Sequence, residues 1–303
     1  MSAVDEEAAD TMLCCASCGK VEVDDVKLKM CTACKLVKYC SVECQKNHRP
    51  QHKNACRKRA AEIRDDNLFR QPDESHLGEC PICCLPLPLD DDKHMINSCC
   101  CKRICHGCNY TNKLREVEQG LAQKCPYCRE PLPETEEGCD QNFMKRVKAN
   151  DQVAMSRMGF KRYSDGDYEG AFEYFTKAAE LGYMDAHFNL SCLYRKGHGV
   201  ELDKKKGLHH LEEAAIGGHH LARWALGVGE YENGRIRRAM KHYIIAATLG
   251  LNIALGCVKK GFMDGYVSKE DYEAALRGHQ AAVDAMKSTQ RDAAEEFYKQ
   301  QNL

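Results

Sequence analysis

Residues 177–190 read KAAELGYMDAHFNL, residues 212–226 EEAAIGGHHLARWAL and residues 245–258 IAATLGLNIALGCV. The three blocks coincide at Ala178/Ala214/Ala246, at Gly182/Gly218/Gly250 and at Ala186/Ala222/Ala254, with shifts of 36 and then 32 residues. An earlier copy places Ala154 and Met158 32 residues before Ala186 and Leu190. These shifts follow if each repeat is a helix pair and the second carries four extra loop residues. KGHGVELDKKK (196–206) is that longer loop, against YSDGDYE (163–169) and YENGRIR (231–237). A period in the thirties with alanine at fixed places predicts antiparallel helix pairs stacked into a solenoid. Alanine and glycine fall where helices approach closely, and Phe172, Phe175, Leu211 and Tyr243 are expected to fill between them. The fold class is therefore mainly α.

The loop Gly197-His198-Gly199-Val200-Glu201-Leu202-Asp203 and the repeated alanines resemble the Sel-one-like subfamily of tetratricopeptide-type repeats. That resemblance implies a concave protein-binding face over residues 151–265. An array of three repeats needs a cap, and SKEDYEAALRGHQAAVDAMKS (268–288) supplies one within a capping segment 266–303. Its Ser268 and Asp271 resemble a capping box, and its apolar residues recur at helical spacing. His209, His210, His219 and His220 read as surface histidines, because adjacent residues diverge on a helix.

Upstream of the array the composition changes. Eighteen of the 21 cysteines precede residue 129, so the first half is expected to depend on metal and the second on an apolar core. The acidic start MSAVDEEAAD has no apolar stretch of the secretory kind, and no apolar run approaches the ~18 residues needed to span a bilayer. These features lead us to expect an intracellular location, cytoplasmic or nuclear, where closely spaced cysteines bind metal rather than pair as disulfides. A formal net charge of -1 gives no general attraction to nucleic acid or anionic membrane.

Between residues 80 and 131 the pairs Cys80/Cys83, Cys105/Cys108 and Cys125/Cys128 each have the spacing of a zinc knuckle. Two more ligands come from Cys99, Cys100 and Cys101. A one-residue gap, Cys99 with Cys101, is stereochemically easy. Cys84 reads as a spare thiol. The order of pairs resembles an all-cysteine RING finger, in which the first and third pairs share one zinc and the second and fourth share the other. Relatives of that kind carry an adjacent pair followed by a small residue and Lys, which points to Cys99 and Cys100. In RING ubiquitin ligases, apolar residues at the positions of Ile82 and Pro126 dock a ubiquitin-conjugating enzyme. A basic residue at the position of Arg129 holds the ubiquitin thioester in a reactive geometry. The resemblance thus implies catalysis by positioning, without an acid, base or nucleophile of the chain's own.

Before it, after an expected disordered leader (1–13), come Cys15-x2-Cys18, Cys31-x2-Cys34, Cys40-x3-Cys44 and His52-x3-Cys56. Eight such ligands satisfy two zinc sites, and His52 and Cys56 share one face of a helix. A module this small cannot bury enough apolar area alone, so zinc is expected to supply its folding energy. The string CTACKLVKYCSVECQKNHRPQHKNAC resembles the MYND zinc finger, over residues 14–56. The resemblance implies one site of Cys15, Cys18, Cys40 and Cys44 and another of Cys31, Cys34, His52 and Cys56, leaving Cys14 and His48 outside. It also implies binding of short proline-rich peptides, although Arg49 stands where an aromatic residue is usual. Gln45 to Arg59 holds six Lys or Arg and no acid. With no aromatic residue interleaved, it reads as a solvated helix face rather than a nucleic-acid patch. Residues 57–79 are expected to be a helical linker ended by Pro72 and Gly78, and 132–150 a second linker.

No phosphate loop, dinucleotide fingerprint or hydrolase triad signature is present. The sequence leads to a zinc-binding adaptor with four Zn²⁺ per chain, its array and first finger binding protein partners. Its RING-like finger makes it a ubiquitin ligase candidate whose array selects substrate. The alternative is a non-catalytic scaffold or transcriptional corepressor that uses both fingers only for peptide binding.

Overall fold

Three of the repeat helices start where the sequence places an Asp able to hold an open helix end. The computed structural model describes residues 14–301, so the expected leader lies outside the described residues. In the array, α4 (Gln152–Ser164), α5 (Tyr168–Glu180) and α7 (Lys204–Ile216) follow Asp151, Asp167 and Asp203, whose carboxylates accept from the first free backbone N–H groups. Asp203 closes the longer loop, which explains why that loop ends in an acid. Between them lies α6 (Met184–Lys196), and α8 (His220–Glu232), α9 (Ile236–Thr248) and α10 (Asn252–Met263) follow. The repeated Gly182, Gly218 and Gly250 have φ of +82°, +84° and +102°, the left-handed conformation that reverses the chain into the next pair.

Two apolar clusters run along the array. One gathers Ala171, Phe175, Ala178, Ala186 and Leu190, with Phe172 at its margin. The other gathers Ala239, Tyr243, Ala246, Ala254 and Val258. Leu211 is buried as well. The alanines are fully buried because a larger residue would hold the helices apart. α11 (Lys269–Ala285) begins at Ser268, whose hydroxyl accepts from the Asp271 N–H at 3.1 Å, and it packs against α9 and α10.

The chain divides into a unit ending at Arg70 and a unit beginning at Gln71. In the first, β1 (Lys29–Met30) pairs with β2 (Lys38–Tyr39), and α1 (Val42–Leu68) follows. This one helix carries His52 and Cys56 and runs on through most of the stretch expected to be a linker. In the second unit, β3 (His94–Ile96) and β4 (Arg103–Cys105) form a hairpin that leads into α2 (His106–Glu118). The hairpin and its knuckles enclose Leu87, Ile104 and the buried cysteines.

Three features of this second unit differ from the sequence reading. The expected linker 132–150 contains α3 (Glu136–Lys148), whose Phe143 joins Cys101, Ala154 and Met158 in one cluster. His219 and His220 are buried, not on the surface. Burial holds the His219 ring well below its usual pKa and brings His220 down to about 3, so both are neutral. Phe188 of α6 stacks on His219, and His76, from the segment before the central module, lies against both rings, so two different elements close over adjacent residues.

The third difference is the last helix, α12 (Thr289–Gln301), which crosses back onto α2 of the central module. Tyr110 meets Phe297 at 4.7 Å between ring centroids, and His106 meets Tyr298 at 4.9 Å. Gly107 permits the approach, since a Cβ there would lie 2.8 Å from the backbone N of Arg291. The Arg291 guanidinium donates to the carbonyls of Pro86 (2.7 Å), Met286 (2.7 Å) and Leu85 (3.2 Å), and to Cys83 Sγ (3.4 Å). Arg291→Ala should strand these carbonyls, costing about 2–3 kcal/mol. Limited proteolysis is expected to cut the variant after residue 286 well before wild type; equal cleavage of both would show that the aromatic contacts hold α12 alone.

Candidate metal centres

Four of the five Cys-x2-Cys pairs are each shaped by a single backbone hydrogen bond, whereas Cys105/Cys108 is set by the first turn of α2, where the Cys108 N–H donates to Cys105 Sγ at 3.5 Å. The N–H of Gly19 reaches the Cys15 carbonyl, Lys35 reaches Cys31, Cys84 reaches Cys80 and Arg129 reaches Cys125, at 2.9 to 3.0 Å. In these four the donor residue is left-handed, with φ between +54° and +73°. This turn points both sulfurs of the pair to the same side. Cys101 repeats the device, with φ +56° and its N–H 2.8 Å from the Asn97 carbonyl. It therefore closes a turn, as Cys84 and Arg129 do, and its side chain enters the cluster around Phe143.

The sulfurs converge in sets of four. Cys15, Cys18, Cys40 and Cys44 form one set, and Cys31, Cys34, His52 and Cys56 a second. In the central module the sets are Cys80, Cys83, Cys105, Cys108 and Cys99, Cys100, Cys125, Cys128. Of the three adjacent cysteines, Cys99 and Cys100 are the two brought to Cys125 and Cys128. Within each set the ligand atoms lie within 4.8 Å of one another. Representative separations are 3.6 Å for Cys18–Cys40, 3.8 Å for Cys31–Cys56, 3.8 Å for Cys83–Cys105 and 3.4 Å for Cys99–Cys128. Cys34 Sγ lies 3.2 Å from His52 Nε2. Sulfurs bound at ~2.3 Å to a tetrahedral Zn²⁺ stand ~3.8 Å apart, so the donor sets fit that ion in number, type and spacing.

The electrostatics point the same way. Hydrogen bonding from Cys105 pulls Cys80 down to about 4, and the same bond pushes Cys105 upward. Four sulfurs this close cannot all ionise without a cation among them. Cys14, outside the first set, instead bridges Val21 in the backbone. His48, outside the second, stacks on His52 at 5.6 Å, and its Nδ1 lies 3.0 Å from the Tyr39 hydroxyl.

The surface residues expected to matter separate from one another. Ile82 is 41% exposed between the first two knuckle cysteines. Arg129 is exposed, and its guanidinium donates to Asn112 Oδ1 at 3.2 Å. Pro126 is buried, because the knuckle folds over it, so it offers no surface to a partner. Arg49 and most of the basic run between Gln45 and Arg59 are exposed along α1, whereas His52 and Cys56 are buried.

What the sequence did not reveal is a polar cluster where the central module meets the array. Arg103 donates to the Tyr183 hydroxyl (2.7 Å) and to the Asp185 carboxylate. His76, in the stretch read as linker, sits 2.7 Å from the other oxygen of Asp185. Burial opposes the charge on Asp185, but the His76 hydrogen bond and the Arg103 guanidinium hold its carboxyl well below the usual range. His76 and Arg103 lie 80 or more positions before Tyr183 and Asp185, and the four follow no period.

Comparison with known proteins assigns two of the parts. The MYND finger model matches residues 15–56. The Sel1 repeat model matches residues 152–183, 185–219 and 220–251. The DAP3-binding cell death enhancer 1 of Rattus norvegicus is 34% identical over 78 residues, 26% of this chain and 14% of that protein. Its Mus musculus counterpart is 33% identical over the same shares. The chain thus matches only about a seventh of the length of these curated relatives. A Sel1 repeat protein from Oxalobacter formigenes, of known structure, is 23% identical over 59% of this chain and 74% of its own, with a TM-score of 0.43. Among the described residues no helix is long and apolar enough to cross a membrane.

Proposed function

We propose that this chain, which carries a MYND finger and three Sel1 repeats, is a zinc-dependent adaptor that joins two protein partners through a RING-type central module acting as a ubiquitin ligase. Its zinc-binding and protein-interaction character follows from the two matched families. The ligase reading rests on one observation: the two four-sulfur sets of the central module interleave along the chain, first pair with third and second with fourth. That crossed arrangement leaves Ile82 exposed beside one set and Arg129 exposed beside the other. Four Zn²⁺ per chain would serve as folding energy. The residues around them would do the work: Ile82 anchors the conjugating enzyme, and the Arg129 guanidinium offers a planar fork of donors to two carbonyls of the enzyme–ubiquitin thioester. Holding the thioester still raises the rate of its attack by an acceptor lysine. Because α12 and the hairpin fix the central module on the array, a substrate held by the repeats would be presented at a constant distance.

Ubiquitin discharge with a panel of conjugating enzymes tests this. Ile82→Ala is expected to weaken docking by about 1–2 kcal/mol. Arg129→Ala should leave zinc content and docking intact and slow discharge, because it acts on the activated conformation only. A wild-type chain inert with every enzyme would count against the ligase and for the second reading, a non-catalytic scaffold or transcriptional corepressor. Two observations favour that reading: Pro126 is buried and Arg129 is already engaged by Asn112.

A further inference from the structure

Three histidines meet beside Asp185, away from the cysteine sets. His76 precedes the first knuckle, His219 caps α8 and His220 is its first residue. One nitrogen of each lies within 4.8 Å of the others. The site is closed to solvent: the His76 side chain is 3% exposed and His220 is 5% exposed. A backbone bond from His76 N–H to the Gly218 carbonyl, 3.2 Å, holds the two segments together.

The nitrogens exceed the partners available to them. His219 Nδ1 accepts from the Ala222 N–H at 3.2 Å, which leaves its Nε2 facing Asp185 Oδ1 at 3.5 Å. His76 Nε2 faces the same oxygen at 2.7 Å. His76 Nδ1 and His220 Nδ1 are buried and have no hydrogen-bond partner. Each such orphan costs about 1–3 kcal/mol unless something binds it. One carboxylate oxygen cannot satisfy three rings, whereas one cation can accept a lone pair from each.

We propose that His76, His219 and His220 form a further metal site for a divalent transition ion of the imidazole-preferring class, Zn²⁺ or Co²⁺, with the Asp185 carboxylate beside two of the three rings. Three imidazoles suit those ions and not Mg²⁺ or Ca²⁺, which prefer all-oxygen sets. Arg103 on the far oxygen of Asp185 orients the carboxylate in the manner of an outer-sphere partner. Its positive charge also opposes a dication, so this site binds more weakly than the thiolate sets. The rings of His76 and His219 stack at 4.2 Å and 15°. Parallel rings cannot both aim a lone pair at one ion, so binding turns His76 out of the stack. The ion would clip the segment leading into the central module to the turn between the second and third repeats.

The test uses the full chain, purified with its zinc and freed of loosely held metal. Adding Co²⁺ should bring uptake of one further equivalent, with visible d–d absorption and no thiolate-to-cobalt charge-transfer band. His220→Asn should abolish that equivalent while the zinc content and circular dichroism match wild type. His76→Gln serves if the first variant fails to fold, and is expected to give the same loss. Wild type that takes up no further equivalent, its orphaned nitrogens then being met by water, overturns the proposal. So does a folded variant that binds Co²⁺ as wild type does, or a spectrum dominated by thiolate bands.

Discussion

Chelating the metal, or changing Cys125 to Ser, is expected to unfold the central module and free α12 while the repeat helices remain. The module's interior is built largely from Cys80, Cys105, Cys108 and Cys125, with Leu77, Leu87 and Ile104 as its buried aliphatic residues. Structural zinc in small modules contributes an apparent 10–16 kcal/mol at neutral pH, more than a core of that size can replace. Once the hairpin opens, Arg291 loses the carbonyls of Leu85 and Pro86, and Tyr110 no longer faces Phe297. The array keeps its own clusters around Phe175 and Tyr243. In chelator, proteolysis should therefore destroy residues before about Thr135 and after Met286, and a helical fragment between them should persist. The surviving fragment should include α3, because Phe143 packs on Ala154 and Met158 as well as on Cys101. A single transition that removes all helicity would show instead that the array depends on the module beside it.

Gly199→Ala is the substitution expected to do most harm within the array. Gly199 has φ +67°, which an alanine adopts only under strain. A Cβ there would also stand 2.6 Å from the Glu169 N and closer still to the Tyr168 carbonyl. Those are backbone atoms at the start of α5, and they cannot turn aside as a side chain can. Strain of about 1–3 kcal/mol and overpacking of about 1–3 kcal/mol act together, so a loss of roughly 3–5 kcal/mol is expected. Gly234 is the control, because its φ is +73° but nothing lies within 4 Å of its added Cβ. Gly234→Ala should cost only about 1–2 kcal/mol. Urea unfolding followed by circular dichroism separates the two. Equal midpoints would mean that the loop over α5 moves to make room.

The longer loop shows how far the sequence reaches. Its four extra residues were visible as a shift in the repeat, and its Asp203 as the acid of the repeat pattern. That Asp203 caps α7, and that the loop lies against the first turn of α5, needed coordinates. Cys101 makes the same point at the metal. Spacing allowed either neighbour to pair with Cys99, and the resemblance alone preferred Cys100. The hydrogen bond from Cys101 N–H to Asn97 gives the reason, since the residue closing the turn points away from the sulfurs it gathers.

Local chemistry was written in the chain from the start. Two cysteines three positions apart make a knuckle whatever surrounds them, an Asp before an amphipathic run caps a helix, and alanine at a fixed period stacks helix pairs. Tertiary structure decided what depends on residues far apart. It buried Pro126 under its own knuckle, carried α12 back to α2, and brought His76, Asp185 and His219 around one point. No period links positions 76, 185 and 219, or 83 and 291, so only the packing of one element on another brings those groups within reach.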